Sequence, residues 1–225
     1  MYQALVQKKV ARGYAKAALR LGATTTQYRP ALLTAPMATA YASFLAAFND
    51  DKAFGFARPA LWDKPAVFGL FDTTDVQSGD LLTCAGENYF VARLEPFRPP
   101  LCMLCNRVVS IAGQPGQGST NSDGAVCTDV GASDDYGTAG DTDAQTTLAA
   151  GWPAFIHIKG KGSPTGDGIP GSIKAADYEI LLPVMPGFIP TVQMAVTTDL
   201  GTTYTLTAVE PSQYGSRCLM SVRQV

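Results

Sequence analysis

The sequence is poor in the residues that build most catalytic and metal-binding sites. His157 is the only histidine, and charged residues make up 16% of the 225 positions. There is no Gly-x-Ser-x-Gly elbow and no Walker loop, and the Gly-rich stretch 160–168 lacks the Gly-Lys-Ser/Thr end found in phosphate sites. These absences make an enzyme the minority interpretation. No apolar run approaches the length needed to cross a bilayer, so we expect no membrane-spanning segment.

The cysteines are an odd number, which argues against a disulfide framework. Residues three apart on a strand face opposite sides, so Cys102 and Cys105 of "CMLC" are not expected to share a metal ion. The Asp-containing stretch 112–147 lacks the ordered oxygen-ligand spacing and the terminal glutamate of an EF-hand. We therefore predict no metal and no cofactor. The cysteines are interpreted as small buried residues: Cys84, Cys102, Cys105, Cys127 and Cys218.

What the sequence does contain is a repeated pattern. "GENYFVARLEP" at 86–96 and "GTTYTLTAVEP" at 201–211 share four identities in eleven positions, each pair 115 residues apart. Each copy predicts a glycine turn, then a strand, then a proline that ends the strand. The shared residues are Gly86, Tyr89, Glu95 and Pro96 in the first copy and Gly201, Tyr204, Glu210 and Pro211 in the second.

The two copies predict different exposures. In the second copy Leu206 and Ala208 continue the face of Tyr204, while threonines occupy the other face, so one side is buried and the other wet. In the first copy Phe90 and Ala92 make the second face apolar too, which predicts cover on both sides. The repeated glutamates would form a glycosidase pair in one interpretation. In the simpler one they satisfy turn amides or cross-strand partners.

The surroundings of the two copies repeat as well. "AVFGLF" and "GDLLT" precede the first copy as "YEILLP" and "TVQMAV" precede the second, and residues 101–111 and 216–225 follow as partner strands. About four short strands in each half are typical of a small barrel or sandwich. We predict a mainly β protein of two small tandem antiparallel β-barrel or sandwich modules, related by an internal repeat, with an N-terminal helical arm.

The N-terminal arm is basic and the middle of the chain is acidic. Residues 1–49 hold six bases and no acid, and residues 111–150 hold six aspartates and no base. The apolar spacing in 2–21 predicts an amphipathic helix that stops at Gly22, and the stripe of Met37, Tyr41, Phe44, Leu45 and Phe48 predicts a second helix over 37–48. A transit peptide or a membrane-surface helix stays open for the first of these.

These patterns predict four regions. Residues 1–50 form an arm with one or two helices, and residues 51–111 form the first β module. Residues 112–150 form a Gly/Ser/Asp-rich loop or linker, and residues 151–225 form the second β module.

The block "GDLL…GENYFVARLEP" at 79–96 resembles the small β-barrels of tailed-bacteriophage neck proteins, the head-closure, head–tail connector and collar family. The resemblance rests on Gly79 and Asp80, a turn, and a Tyr-Phe-Val strand that leads to an aliphatic-x-Pro exit. The N-terminal "GYAKAALRLGATTTQYRP" is similar to the opening of virion proteins in phages and prophages of Gram-negative bacteria. This chain departs from the short single-barrel type because it is doubled and carries the 112–147 insertion.

The resemblance implies a non-enzymatic, homo-oligomeric ring between the portal or adaptor and the tail, around the DNA channel. The protein would assemble in the host bacterial cytoplasm, reside in the virion and contact no membrane. The acidic middle would suit an outward surface or a channel wall, so that packaged DNA lies near without specific binding. Docking to an acidic portal or adaptor surface would fall to the cations of the arm: Lys8, Lys9, Arg12, Lys16 and Arg20.

Three alternatives stay open on the sequence. In the first, the chain is another structural part of a virion, such as a tail, baseplate or head-decoration subunit. It would otherwise be a cellular two-barrel protein that binds carbohydrate or peptide, with the N-terminus as a targeting sequence. The last alternative is a hydrolase centred on His157, for which no nucleophile or orienting acid lies nearby in sequence.

Overall fold

The computed structural model describes residues 2–50, 65–113, 146–159 and 177–222. Within these residues the chain forms one helix followed by strands, which are joined by short turns and by longer connections. The elements are α1 Tyr2–Leu21, β1 Ala23–Tyr28, β2 Ala42–Asn49, β3 Ala66–Phe71, β4 Leu81–Cys84, β5 Glu87–Arg93, β6 Leu101–Cys105, β7 Arg107–Ala112, β8 Thr147–Ile158, β9 Asp177–Leu182, β10 Ala195–Thr198, β11 Thr203–Ser212 and β12 Gly215–Val222.

The strands close into two antiparallel barrels with the same topology. Barrel 1 has the order β1-β2-β3-β6-β5-β4, and β4 pairs with β1 to close it. Barrel 2 has the order β7-β8-β9-β12-β11-β10, and β10 pairs with β7 in the same way. Closure leaves neither sheet with an unpaired edge strand. The predicted mainly β fold with two repeated modules and a helical arm is confirmed.

The repeated motif occupies equivalent places in the two barrels. Tyr89 on β5 pairs with Leu82 on β4, and Tyr204 on β11 pairs with Val196 on β10. A bulge interrupts the pairing of β5 with β6 between Val91 and Arg93. The pairing of β11 with β12 is interrupted at the corresponding position, between Leu206 and Ala208.

The glycines of the motif make the predicted turns. Gly86 and Gly201 have φ angles of 86° and 80°, in the left-handed region that glycine enters without a steric cost. Gly86 lies in the hairpin between β4 and β5, and Gly201 lies in the hairpin between β10 and β11. These hairpins set the register that brings Tyr89 and Tyr204 into the barrel interiors, where both are buried.

Two apolar clusters hold the fold together. The smaller cluster fills barrel 1, and the larger one fills barrel 2 and continues onto the outer face of β4 and β5. Phe90 and Ala92 of β5 belong to the larger cluster, while Tyr89 and Val91 on the opposite face belong to the smaller one. The predicted cover on both sides of the first motif is confirmed, and barrel 2 supplies the second cover.

Asn106 joins the two barrels as a single residue between β6 and β7. Its backbone N–H donates to the Ala154 carbonyl at 3.0 Å, and its side chain exchanges hydrogen bonds with the backbone N–H and carbonyl of Ile156. These bonds fix β8 of barrel 2 beside β6 of barrel 1.

The predicted second helix over 37–48 is wrong. Residues 42–49 form β2, in which Phe44 and Ala46 point into barrel 1 and Phe48 packs against the same cluster. Buried residues at every second position fit a strand as well as the apolar stripe of 37–48 fits a helix. Pairing with β1 and β3 selects the strand. Met37 and Tyr41 lie in the connection before it.

The predicted module boundaries differ from the observed ones. Barrel 1 begins at β1, inside the predicted arm, and ends at Cys105 rather than at residue 111. Residues 101–111 are two strands that belong to different barrels, instead of one partner strand. Barrel 2 begins at Arg107, and β8 begins at Thr147, inside the predicted linker. Most of that linker, residues 114–145, lies outside the described residues.

Two details of the repeat are also corrected. Pro211 does not end its strand, because it pairs with Ser216 inside β11, close to the hairpin. Pro96 lies beyond the end of β5, which stops at Arg93. Ala208 is exposed instead of sharing the buried face of Leu206, because the bulge between them shifts the alternation by one residue.

Candidate interaction surface on the N-terminal helix

α1 lies against β2 and β3 of barrel 1. Ala18 of this helix is fully buried against the barrel, and Val10, Ala11 and Tyr14 are half-buried on the same face of the helix. Gly22 ends the helix, donating its N–H to the Ala18 carbonyl at 2.8 Å. A Cβ atom at Gly22 would stand 2.9 Å from the Ala46 carbonyl oxygen of β2, so glycine is what lets the helix end approach the barrel.

The amino-terminal half of α1 is held by the loop between β5 and β6. The backbone N–H of Phe97 donates to Oε1 of Gln7 at 2.8 Å, and the Tyr14 hydroxyl donates to the Phe97 carbonyl at 3.3 Å. Phe97 has a φ of 61°, which is strained for a bulky residue and persists only where neighbours fix it. Burial against the barrel raises the pKa of Tyr14.

A shallow apolar cleft runs between the helix and this loop. One part has a volume of about 200 Å³ and is bordered by Ala11, Phe71 and Pro100, among others. Leu94 and Phe97, on the rim, are 42% and 41% exposed. The cleft therefore adds an apolar, solvent-exposed area beside α1.

All five predicted partner-binding residues lie on α1 and are exposed: Lys8, Lys9, Arg12, Lys16 and Arg20. None of the described carboxylates forms an ion pair with any of them. Lys9, Arg12, Lys16 and Arg20 follow each other at three- and four-residue steps, which places them in one row on the face turned away from the barrel. We call these four residues the basic row; at 1.5 Å per residue it is about 17 Å long.

Exposed apolar residues continue the outward face of α1 toward its start. Tyr2 is 86% exposed, Leu5 57% and Val6 44%. Side chains of this kind, next to cations that no described carboxylate pairs with, are typical of a surface that binds another macromolecule. They belong to residues 2–9 of the helix, all of which are exposed.

The repeated glutamates form ion pairs on different barrels. Glu95, in the loop after β5, pairs with Arg93 and, at 3.0 Å, with Arg98. Glu210, on β11, lies opposite Arg217 of β12 at 3.9 Å. The cross-strand interpretation of Glu210 is confirmed, and Glu95 is satisfied by neighbouring arginines instead of turn amides.

Arg217 has a second and closer partner on the outside of barrel 2. Its Nε and Nη2 atoms donate to the two carboxylate oxygens of Glu179 at 2.7 and 2.8 Å. Glu179 is 7% exposed, and the hydrogen bonds from Arg217 hold the pKa of its carboxyl below its usual value. The pair ties β9 to β12.

We expect Arg217→Gln to lower the free energy of unfolding by about 1 kcal/mol at pH 7, and by less as the pH falls toward 3. A carboxyl whose pKa is lower in the folded state stabilises the fold above its unfolded pKa, and this stabilisation disappears as acid protonates it. Urea unfolding at pH 7, 5 and 3 measures the difference. Lys8→Gln, at an exposed cation that pairs with no described carboxylate, is the control. A difference that is independent of pH would contradict the expectation.

An unpredicted polar cluster stands where barrel 1 meets the loop before β4. Asp80 is 2% exposed and accepts hydrogen bonds from Nε2 of Gln27 at 2.7 Å, from the backbone N–H of Gln77 at 2.7 Å and from Arg29 at 3.1 Å. The Arg29 guanidinium lies 4.0 Å from the Tyr41 ring centre. The aspartate was visible in the Gly-Asp pair, but nothing in the sequence spacing linked it to Gln27 or Arg29.

Gly79 and Asp80 have a structural role that the second barrel repeats. The Gly79 N–H donates to the Val91 carbonyl at 2.8 Å, and the Val91 N–H donates to the Asp80 carbonyl at 2.9 Å. In barrel 2 Leu206 makes the same pair of bonds with Gln193 and Met194, at 2.8 and 2.9 Å. The loop that carries this pair is thus part of the duplicated unit.

His157 lies on β8 opposite Glu179 of β9. Its ring centre is 5.4 Å from that of Phe155, and its Nδ1 atom is buried without a hydrogen-bond partner. None of the described residues offers it a hydrogen-bonded hydroxyl or thiol. The described geometry therefore gives this histidine no hydrogen-bonded nucleophile, although Tyr178, Thr198, Thr202 and Tyr204 line the same pocket of about 210 Å³.

Cys102 and Cys105 face opposite sides of β6, as their spacing predicted. Cys102 belongs to the cluster inside barrel 1, whereas Cys105 packs against the larger cluster between the barrels. Burial raises the pKa of both thiols. In the part of the chain that the structure describes, no group of three or more His, Cys, Asp or Glu side chains could hold a metal ion. Cys127 lies outside that part.

Comparison with known proteins gives no relative from which a role could be transferred. No family model matches the sequence, and no curated protein or solved structure matches the chain. Among the described residues, no helix combines the length and apolar character that a membrane crossing needs.

Proposed function

We propose that this chain is a structural subunit of a tailed-phage virion, which forms a homo-oligomeric ring in the neck between the portal or adaptor and the tail. The observation that carries the proposal is the outward face of α1. It presents five exposed cations that form no ion pair with a described carboxylate, on a helix that the barrel holds in place. An acidic portal or adaptor surface would supply the missing partners.

The two barrels support a role in assembly. Closed barrels give stiff bodies without free strand edges, which suits a part that must fit between neighbours. The clefts described around Glu95 are shallow and lie between surface elements, instead of gathering reactive side chains. The chain as a whole is net negative, which suits a wall beside packaged DNA that must not bind it.

We expect the chain to be present in purified tailed particles of the strain that encodes it, and to be located in the neck by electron cryomicroscopy. Substitution of all five α1 cations by glutamine is expected to reduce incorporation at least ~10-fold, because exposed charge pairs act additively at a docking surface. Substitution is a sharper test than deletion of α1, since deletion would also uncover the apolar surface of β2 and β3 that the helix covers.

The matched control exchanges each lysine for arginine and each arginine for lysine, which keeps the charge. Absence of the chain from particles would overturn the virion role. Density in the baseplate, tail tube or capsid surface would overturn the neck position in favour of another virion role. Normal incorporation of the glutamine variant would overturn docking through α1.

A further inference from the structure

One end of barrel 2 holds the pocket of about 210 Å³ that His157 also borders. Arg107 begins β7 there, Ile158 ends β8, and Tyr178 stands near the start of β9. Tyr204 enters from β11, with its ring centre 5.1 Å from that of Tyr178. The mouths of β-barrels are common sites for small ligands, and we call this cavity the mouth pocket.

The mouth pocket contains donor groups that the protein itself does not use. Arg107 is half-buried, yet it forms no ion pair or side-chain hydrogen bond with any described residue. The Tyr178 and Tyr204 hydroxyls likewise have no hydrogen-bond partner among the residues that the structure describes. Burial raises the pKa of Tyr204, and the charge of Arg107 acts in the opposite direction, so the guanidinium lies near this hydroxyl. These groups are therefore able to donate to a ligand.

The internal repeat shows what is missing beside Tyr204. Tyr204 corresponds to Tyr89 of barrel 1, and Thr202 corresponds to Glu87, each pair 115 residues apart. In barrel 1 the Tyr89 hydroxyl donates to the Glu87 carboxylate, two residues earlier on the same face of β5. Thr202 has no carboxylate, so the tyrosine of barrel 2 lacks the acceptor that its counterpart has.

The strand register gives the counterpart of Arg107. The last residue of β10 pairs with Val109, and the last residue of β4 pairs with Thr25. Arg107 and Ala23 each stand two residues before these partners, so Arg107 has the place that Ala23 has in barrel 1. At the two compared positions barrel 1 has a carboxylate, from Glu87, and no cation. Barrel 2 has a cation and no carboxylate.

We infer that the mouth pocket binds the carboxylate of a small organic acid, which takes the place that Glu87 has in barrel 1. The carboxylate accepts a hydrogen bond from the Tyr204 hydroxyl and pairs with Arg107, whose planar fork matches two carboxylate oxygens. Ile158 and Leu200, on the rim, are 60% and 67% exposed and contact the short carbon chain of the acid. The inference goes beyond the proposed ring and does not depend on it.

The size and charge of the mouth pocket favour a small carboxylate over other anions. Its volume of about 210 Å³ is below that of most sites for drug-sized ligands, so the acid has few carbon atoms. Among the described residues that line it, Arg107 is the only lysine or arginine. One arginine balances the single charge of a carboxylate, whereas a phosphate group carries about two charges at pH 7.

Titration of the isotope-labelled full chain with 4-methylpentanoate, followed by amide chemical shifts at pH 7, tests the inference. We expect a Kd of ~1 mM, which is reasonable for a ligand of about eight non-hydrogen atoms. The neutral 4-methylpentanamide has nearly the same shape, and inorganic phosphate has charge without a carbon chain. Both are expected to bind at least ~10-fold more weakly, because each lacks one of the two matched features. The shifts should centre on the start of β7 and the hairpin between β10 and β11.

Three variants of the mouth pocket and one control sharpen the test. Arg107→Gln is expected to weaken binding at least ~10-fold, and Tyr204→Phe about 3-fold. Thr202→Glu supplies the carboxylate that barrel 1 has, so it should occupy both donors and abolish binding while the chain stays folded. Arg12→Gln removes a cation of α1, outside the pocket, and should leave the Kd unchanged. Circular dichroism verifies the fold of each variant.

Other outcomes overturn the inference. The first is absence of binding to the wild type at ~20 mM 4-methylpentanoate, well above the expected Kd. Equal binding of the amide would mean that only the apolar rim is used, and tighter binding of phosphate would make the ligand a phosphate. Undiminished binding to the Thr202→Glu variant, or equal weakening by Arg107→Gln and Arg12→Gln, would place the acid outside the pocket. None of these results changes the virion role, which the analysis of particles tests separately.

Discussion

Replacement of Trp152 by alanine is expected to lower the free energy of unfolding by about 4 kcal/mol. Trp152 is fully buried in barrel 2, and its Nε1–H donates to the Leu33 carbonyl of barrel 1 at 2.7 Å. Truncation opens a large cavity and also removes one of the two hydrogen bonds to that carbonyl. Leu33 accepts a further bond from the Ala150 N–H at 3.0 Å, so the loop between β1 and β2 is fixed to barrel 2 at this point. Urea unfolding followed by far-ultraviolet circular dichroism measures the loss.

Two further variants separate the causes. Trp152→Phe keeps a buried six-membered ring but removes the Nε1–H donor and part of the indole volume, so we expect a loss of about 2 kcal/mol. Leu200→Ala changes a side chain of the same barrel that is 67% exposed, and we expect a change within about 0.5 kcal/mol. A Trp152→Ala loss no larger than that of Leu200→Ala would show that the indole does not hold the barrels together.

Asp80→Ala is expected to have the second largest effect on stability, a decrease of about 3 kcal/mol in the free energy of unfolding. The buried carboxylate accepts from Gln27, Arg29 and Gln77, and its removal takes one acceptor from each of them; Gln27 and Arg29 keep only their hydrogen bonds to Asp75. The hydrogen bond from Arg29 to Asp80 also raises the pKa of the guanidinium, which therefore stays charged beside the vacated position. Arg29 is partly exposed, so water relieves part of the cost.

Asp80→Asn and Asp75→Asn complete this test. Asp80→Asn keeps the shape but replaces one acceptor oxygen by a donor, so it should be nearly as destabilising as alanine. Asp75 contacts the same arginine at 3.2 Å but is largely exposed, so Asp75→Asn should have a much smaller effect. Equal losses for Asp75→Asn and Asp80→Asn would mean that burial of the carboxylate is not what makes the cluster important.

The duplication could be predicted because its signal is local. Gly86 and Gly201 need left-handed backbone, and Tyr89 and Tyr204 follow three residues later with the same alternation. Such spacing is written in the sequence without knowledge of distant partners. The basic row was predictable for the same reason, since a helix repeats every 3.6 residues and its charges can be placed on one face from the sequence alone.

The failures come from contacts between distant residues. β2 is a strand because β1 and β3 pair with it, although its alanines and phenylalanines also satisfy a helical spacing. The division of 101–111 at Asn106 depends on hydrogen bonds to Ala154 and Ile156, about fifty residues away. The Asp80 cluster likewise joins residues 27–29 to residues 77–80, about fifty positions away. No short pattern specifies such partners.

The outer face of β5 also distinguishes barrel 1 from barrel 2 as a packing surface. In barrel 1 this face carries Phe90 and Ala92, and barrel 2 covers it. The positions 115 residues later are Thr205 and Thr207, whose hydroxyl groups can form hydrogen bonds with water. Another barrel packed on this face would contact threonine hydroxyl groups instead of apolar side chains. The equivalent face of barrel 2 is therefore suited to contact with water, whereas the face of barrel 1 is suited to contact with another barrel.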